Sequence, residues 1–311
     1  VPQKTVLAFL APGQGSQTPG MLAEWLELPG AAERIAGWSE ISGLDLSRLG
    51  TTATAEEITD TAVTQPLVVA ATLLAYEQLT ARDVLTGDEE IVAAGHSVGE
   101  IAAYAIAGVI SADEAVSLAA TRGKEMAKAC ALEPTGMSAL LGGDEAEVLA
   151  RLEALDLVPA NRNAAGQIVA AGALAALEKL AEDPPARARV RPLATAGAFH
   201  TRYMASALDE YTRVADRINP AEPSVTLLSN SDGRPVSSGG DALHKLVAQM
   251  TRPVRWDLCT EAMKELGVTA IVEFPPAGTL TGIAKRELRG TPTHAVKSPA
   301  DLDGLGAALR A

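Results

Sequence analysis

Aromatic side chains are scarce in this 311-residue chain, with three Trp, four Tyr and three Phe making up 3% of it. Proteins that hold single-stranded nucleic acid or cage quaternary ammonium groups depend on stacked aromatic faces, so both classes are disfavoured. Positive charge is also in deficit. Lys and Arg number 26 against 39 Asp and Glu, a net charge of −13, which excludes a general nucleic-acid binder. Only two cysteines occur, Cys130 and Cys259, and neither belongs to a CxxC pair. They cannot build a disulfide framework or a metal site by themselves, and they point to a reducing compartment. No apolar run approaches the roughly 18 residues of a membrane span. Val1-Pro2-Gln3-Lys4 is followed by the short apolar stretch Val6 to Ala11, too brief for a signal-peptide core, so the expected location is cytoplasmic.

What the chain does have is a 47% apolar content beside 21% charged residues, the balance of a folded protein of one large domain or two modest ones. Val6-Leu7-Ala8-Phe9-Leu10 runs into Ala11-Pro12-Gly13-Gln14-Gly15-Ser16-Gln17, a buried strand followed by a glycine-rich loop. Leu67, Ala70, Ala71, Leu74 and Leu79 keep a helical period, with Pro66 expected near the first turn, where a missing N–H costs little. Ile91 to Ala94 reads as a strand, Gly95 to Glu100 as a sharp turn, and Ile101 to Ala107 as a helix stopped by Gly108. Ser111-Ala112-Asp113-Glu114 is a capping box that opens a helix towards Cys130.

Between about Lys128 and Ala196 the pattern changes. Strands are expected at Met137 to Leu141, Leu157 to Asn161, Gln167 to Ala171 and Arg187 to Leu193, with helices at Asp144 to Leu155 and Leu174 to Ala181. That order, βαββαβ, is ferredoxin-like. Afterwards alternation resumes with a helix near Met204 to Ile218, a strand Val225 to Ser229, helices near Asp241 and Trp256, a strand Ala270 to Phe274, and a last helix pair around a short strand near His294. The expected fold is α/β: a mainly parallel sheet with helices on both faces, an α/β-hydrolase-like core, plus an inserted ferredoxin-like subdomain. Residues 1–127 and 197–311 would form the large catalytic subdomain and residues 128–196 the small one.

Gly95-x-Ser97-x-Gly99 between a strand and a helix has the form of a nucleophile elbow. Its glycines let the backbone pass through a strained turn, the Ser97 hydroxyl stands at a helix N-terminus, and the Val98 N–H is free for an oxyanion. A serine needs a base, and the chain offers four histidines. His96 adjoins the serine, and consecutive side chains diverge there. His244 lies within a helix, and His294 has no polar constellation around it. His200, in Gly197-Ala198-Phe199-His200-Thr201 at a helix start, is the best candidate, against the alternative of a structural histidine. Arg122 is odd in its own right, four residues from both Leu118 and Met126 on the apolar side of its helix. A guanidinium there needs a partner, either a structural salt bridge or an anionic ligand held by two prongs.

Pro12-Gly13-Gln14-Gly15-Ser16-Gln17, Gly95-His96-Ser97-Val98-Gly99-Glu100 and Gly197-Ala198-Phe199-His200 together resemble the malonyl-CoA:acyl carrier protein transacylase family, and nearly the whole chain fits. The resemblance implies that Ser97 carries a malonyl ester and that His200 is its base. The Gln14 and Val98 N–H groups would form the oxyanion hole, and Arg122 would grip the malonyl carboxylate. Gln249 matches the glutamine whose backbone carbonyl orients the histidine, which accounts for the absence of an obvious third-member Asp. Asn161 and Asn163 resemble the small-subdomain strip facing the cleft, as does Gln167, although Ala165 stands where the family often has proline. Phe199 and Val98 fall on the malonyl rather than the methylmalonyl side of related acyltransferases; a bulky Phe fills the space an α-methyl needs, a distinction worth about 1–3 kcal/mol.

By the same resemblance the partners are malonyl-CoA or CoA and an acyl carrier protein, with no nucleic acid, no membrane, no metal and no other cofactor. Carrier proteins of this kind are acidic, so docking on an acidic enzyme needs a local basic patch. Arg187, Arg189 and Arg191 are one candidate and Lys285, Arg286 and Arg289 another. Competing expectations are a serine thioesterase or esterase on a similar elbow and a non-catalytic carrier-protein scaffold. A nucleotide binder is weaker, since Gly13-Gln14-Gly15 lacks both the P-loop ending and the full GxGxxG spacing.

Overall fold

Strand alternation accounts for the central layer. In β1 (Val6–Ala11), Leu7, Phe9 and Ala11 point into one apolar cluster while Val6, Ala8 and Leu10 point into another. A strand buried on both faces reads as a continuous apolar run, and in a parallel sheet helices must cover each face. The computed structural model describes residues 4–311, so the segment Val1 to Gln3 read above lies outside the described residues. Its strands are β1, β2 (Glu90–Gly95), β3 (Thr135–Gly142), β4 (Val158–Ala164), β5 (Gln167–Ala173), β6 (Ala188–Pro192), β7 (Thr226–Leu227), β8 (Ala270–Glu273) and β9 (Thr293–Ala295).

The main sheet has five strands in the order β7-β2-β1-β8-β9, every neighbour parallel. Helices Thr61–Thr80, Gly99–Ile106 and Ala112–Cys130 contribute to the larger cluster on one face. Trp256, Cys259 and Met263, with Leu280, Ile283 and Ala284, cover the other. This is the expected α/β architecture. The second sheet is antiparallel with four strands in the order β4-β5-β3-β6, which is the ferredoxin-like arrangement expected from the βαββαβ pattern. One of its faces carries its own helices through Leu140, Val148, Leu152, Ile168, Leu177 and Leu180. The other lends Met137, Ala160, Val169 and Ala171 to the main core. Backbone bonds tie it further to the large body: Val254 N–H donates to the Ala160 carbonyl at 2.8 Å and Arg162 N–H to the Val254 carbonyl at 2.9 Å.

Some elements differ from expectation. The helix expected to carry Pro66 near its first turn begins at Thr61, so Pro66 sits further inside it. Asp60 starts this helix by accepting the Ala62 N–H at 2.9 Å, and Thr64 Oγ1 returns a bond to the Asp60 carbonyl at 3.0 Å, so cap chemistry sets the boundary rather than the proline. The strand expected over Val225 to Ser229 is ladder-paired only at Thr226–Leu227, because it lies at the sheet edge. The helix near Met204 to Ile218 opens as the 3-10 turn Arg202–Ala207 before Leu208–Asp216. Helices Ala31–Ser42, Leu46–Thr51 and Ala55–Thr59 were not expected.

The Ser111 capping box forms as read: Ser111 Oγ accepts the Glu114 N–H at 3.1 Å and Glu114 Oε1 accepts the Ser111 N–H at 2.8 Å. Among the described residues no helix is long and apolar enough to cross a membrane. Replacing Ser111 by Ala removes the cap of the helix that carries Arg122, at a cost of about 1 kcal/mol. The expected fall in Tm is about 1–2 °C by calorimetry; an unchanged Tm would show that the cap carries no stability.

Candidate active site

Strand β2 delivers the chain into a turn that only small residues permit. A Cβ on Gly95 would come within 2.1 Å of the Gly99 carbonyl oxygen, and one on Gly99 within 2.2 Å of the Ala11 carbonyl oxygen. The loop after β1 lies against the same turn, since a Cβ on Gly13 would meet the His96 carbonyl oxygen at 2.6 Å. His96 N–H also donates to the Ala11 carbonyl at 3.0 Å. Between these close approaches Ser97 takes φ 57°, the left-handed region that a non-glycine residue occupies at a cost of about 1–3 kcal/mol. Sequence reasoning reads the elbow from its glycines; the structure adds that the PGQGSQ loop is its other wall.

Ser97 Oγ lies 2.7 Å from His200 Nε2, and His200 Nδ1 donates to the Gln249 backbone carbonyl at 2.8 Å. His200 too is left-handed, at φ 61°. The carbonyl on Nδ1 fixes the tautomer with a bare Nε2, the form that can take the serine proton. Burial, with the Arg122 charge second, pushes the His200 pKa down to about 3, so the imidazole is neutral. The Val98 and Gln14 N–H groups donate to no acceptor among the described residues, whereas the Ser97 N–H is taken by Asn230 Oδ1 at 3.0 Å.

Arg122 is 1% exposed. Its Nη1 donates to Gln65 Oε1 and its Nη2 to Gln249 Oε1, both at 2.9 Å, and Nη2 also stands 3.4 Å from Ser97 Oγ. Arg122 Nε is buried with no acceptor, and no carboxylate pairs with the guanidinium among the described residues. Of the two alternatives open in the sequence, the structural salt bridge is therefore absent. Burial lowers the Arg122 pKa, opposed by the nearby Tyr211 and Glu100.

The remaining expected residues separate into two groups. Phe199 is buried beside His200 in the main core. Asn163 is buried and its Oδ1 bonds His96 Nε2 at 2.7 Å, so its side chain holds the histidine of the elbow. Asn161 forms a bridge to Val254, with Oδ1 buried and unpartnered. His96 contacts Asn163 and Trp256 rather than the serine hydroxyl, and His244 is exposed. Both candidate basic patches, Arg187, Arg189 and Arg191, and Lys285, Arg286 and Arg289, are exposed. Arg286 reaches from the large body to Gln167 on the β4–β5 hairpin at 2.5 Å.

Three further residues of the site carry no role that the sequence alone reveals. Gln65 holds Arg122 from the helix Thr61–Thr80; an amide side chain among the buried positions of a largely apolar helix is the available signal. Glu100, 1% exposed, accepts the Asn230 N–H at 2.7 Å and Gln249 Nε2 at 3.1 Å. Burial raises its pKa to about 8, opposed by those donors and the Arg122 charge. Its signal was a carboxylate heading a helix that is apolar all round. Asn230 is fully buried, yet Ser229-Asn230-Ser231-Asp232-Gly233 reads as an ordinary turn.

An elbow serine, a neutral histidine on it, two unused amides beside it and a cation reaching the same hydroxyl define a serine-dependent acyl-transfer site. The chain belongs to the acyl transferase domain family, whose model matches residues 8–300. It is 72% identical over 300 residues to the malonyl CoA-acyl carrier protein transacylase of Mycobacterium tuberculosis H37Rv, covering 96% of this chain and 99% of that one. To the transacylase of the same name from Escherichia coli K12 it is 33% identical over 302 residues, covering 95% and 97%. The crystal structure of MCAT from M. tuberculosis superposes with a TM-score of 0.95 at 71% identity, over 97% of this chain and 99% of that one. A malonyl-transacylase solved with its type II PKS acyl carrier protein gives 0.91 at 30% identity, over 98% and 100%.

Only a neutral imidazole can accept a proton, and a lowered pKa keeps His200 neutral further into acid. Labelling of Ser97 by a fluorophosphonate should therefore hold its rate from about pH 7.5 to about pH 5.5, well below the ordinary histidine midpoint. An acid limb centred at about pH 6.5 or higher would contradict this reading of His200.

Proposed function

We propose that this chain transfers the malonyl group of malonyl-CoA to the pantetheine thiol of an acyl carrier protein through an ester on Ser97. The observation that carries the reading is the position of the Ser97 hydroxyl between His200 Nε2 at 2.7 Å and Arg122 Nη2 at 3.4 Å. A base and a fixed cation converge on one nucleophile, the arrangement an acyl group with its own carboxylate requires.

In the first half-reaction His200 Nε2 takes the Ser97 proton as Oγ attacks the thioester carbonyl. The Val98 and Gln14 N–H groups hold the oxyanion, and the tetrahedral adduct collapses with CoA thiolate leaving and accepting the proton from His200. In the second, the carrier thiol gives its proton to His200, attacks the ester carbonyl, and Ser97 Oγ leaves and is reprotonated. The Gln249 carbonyl keeps the imidazole in the tautomer both halves need and stabilises the imidazolium. Burial first and the Arg122 charge second lower the His200 pKa. A malonyl carboxylate on Arg122 offsets that charge, so substrate binding itself strengthens the base. Each step balances with these side chains alone and calls on no metal or other cofactor.

Phe199 beside His200 favours malonyl over bulkier acyl units, and Asn161 and Asn163 line the cleft from β4. Residues 1–127 and 197–311 act as the large subdomain and residues 128–196 as the small one, with the acyl group held between them. A cytoplasmic setting accords with two unpaired thiols and a CoA substrate. An acidic carrier meets a chain of charge −13, so docking uses one of the exposed basic patches.

The test is intact mass after brief incubation with malonyl-CoA, followed by thiol-bearing carrier protein. Wild type should gain one malonyl adduct that moves to the carrier, and Ser97→Ala should gain none. An adduct lost to water equally fast with and without carrier would make the chain a thioesterase, and no adduct with no turnover would make it a scaffold.

A further inference from the structure

Ser97 holds a left-handed backbone at φ 57°, and such a residue stays put only where its surroundings over-determine it. Beside the close glycine approaches and the Gln249 bond to the Ser97 carbonyl, one side chain holds the backbone on both flanks of the turn. Asn230 Nδ2 donates to the Gly95 carbonyl at 2.7 Å, and Asn230 Oδ1 accepts the Ser97 N–H at 3.0 Å. The amide thus spans His96 and ties together the two backbone groups on either side of it. Only a side chain that offers a donor and an acceptor at once can do this. Asn230 is in turn fixed at every polar atom. Its N–H donates to Glu100 Oε2 at 2.7 Å, its carbonyl accepts the Arg255 N–H at 2.8 Å, and Oδ1 accepts Gln249 Nε2 at 3.0 Å. Glu100 belongs to the helix that the elbow launches, and Gln249 is the residue whose carbonyl holds His200.

We propose that Asn230 is the positioning residue of this site, its side-chain amide clamping the elbow so that Ser97 Oγ stays on His200 Nε2. The proposal rests on the reading of Ser97 as the acylated nucleophile. By occupying the Ser97 N–H, the clamp also leaves the Val98 and Gln14 amides as the donors for the oxyanion. Asn230 touches neither substrate nor reacting atoms; it acts through the geometry of Ser97.

The test uses the full chain with Asn230→Ala and Asn230→Asp, read by fluorophosphonate labelling of Ser97, which needs the elbow and His200 but no malonyl carboxylate. Asn230→Ala should slow labelling by about 100-fold, the cost of a misplacement on the order of 1 Å. Malonyl-CoA affinity, compared between Ser97→Ala and the Ser97→Ala plus Asn230→Ala double variant, should change by less than about threefold, since Gln65 and Gln249 still hold Arg122. Asn230→Asp is the conservative rescue. A protonated carboxylic acid there offers the same acceptor to Ser97 and an O–H to the Gly95 carbonyl, and losing the proton removes that donor. The groups facing the position are Glu100, the Gln249 amide, the Cys259 thiol and, through Gln249, Arg122. Burial and Glu100 favour the protonated form. Labelling of this variant should therefore stay within about tenfold of wild type near pH 6 and fall as the pH rises towards about 9 more steeply than in wild type, where Glu100 is the group of this cluster that titrates in that range.

A profile for Asn230→Asp parallel to wild type would overturn the proposal even if Asn230→Ala does not fold. So would labelling of folded Asn230→Ala within about threefold of wild type, or a loss of malonyl-CoA affinity as large as the loss of labelling. If wild type instead forms no malonyl adduct, the acyl-group assignment fails while the labelling results still decide the clamp.

Discussion

Arg122 carries its charge on an almost fully buried side chain, and no carboxylate pairs with it among the described residues. A bare buried cation costs several kcal/mol, so the fold must compensate it locally. It does so with neutral oxygens, Gln65 Oε1 and Gln249 Oε1, and with the Glu100 carboxyl one hydrogen bond further away. That compensation is partial by construction. Amide dipoles orient the guanidinium without discharging it, which leaves its field directed at the Ser97 hydroxyl. After burial, the same field is the second cause that lowers the His200 pKa, so guanidinium and imidazole are electrostatically coupled.

The residues that satisfy Arg122 are also the ones that shape the catalytic pair. Gln249 holds the guanidinium through Oε1, contacts the Ser97 carbonyl, Glu100 and Asn230 through Nε2, and fixes His200 through its backbone carbonyl. Two strained backbones, at Ser97 and His200, meet across this residue. Low local dielectric makes each of these bonds stronger and each failure costlier, so a site of this kind is rigid when complete. Rigidity suits a reaction in which water would otherwise compete for the acyl ester.

Most of the fold was legible because it follows from period and caps. The continuous apolar run at Val6 required a doubly covered parallel strand, and the Ser111 box fixed a helix start to the residue. Pro66 lies inside its helix rather than near the first turn because the Asp60 cap sets the start upstream, at Thr61. In the site, Ser97 and His200 announced themselves by chemistry and by the glycines around the elbow. Arg122 stood out as a charge on an apolar helix face. Asn230 and Gln65 did not, since their importance lies in which backbone and side-chain groups they reach across the fold, 133 residues apart for Asn230 and Ser97 and 57 for Gln65 and Arg122. Resemblance, rather than period, pointed to the Gln249 carbonyl, because a backbone oxygen leaves no mark on side-chain type.

The most direct measurement of this account compares kcat/KM for malonyl-CoA and acetyl-CoA in wild type and Arg122→Ala. If the incompletely compensated guanidinium exists to receive the substrate carboxylate, malonyl transfer should fall by about 100-fold or more while acetyl transfer changes by less than about tenfold. Equal losses on the two substrates would contradict it, leaving Arg122 as a structural support of the elbow.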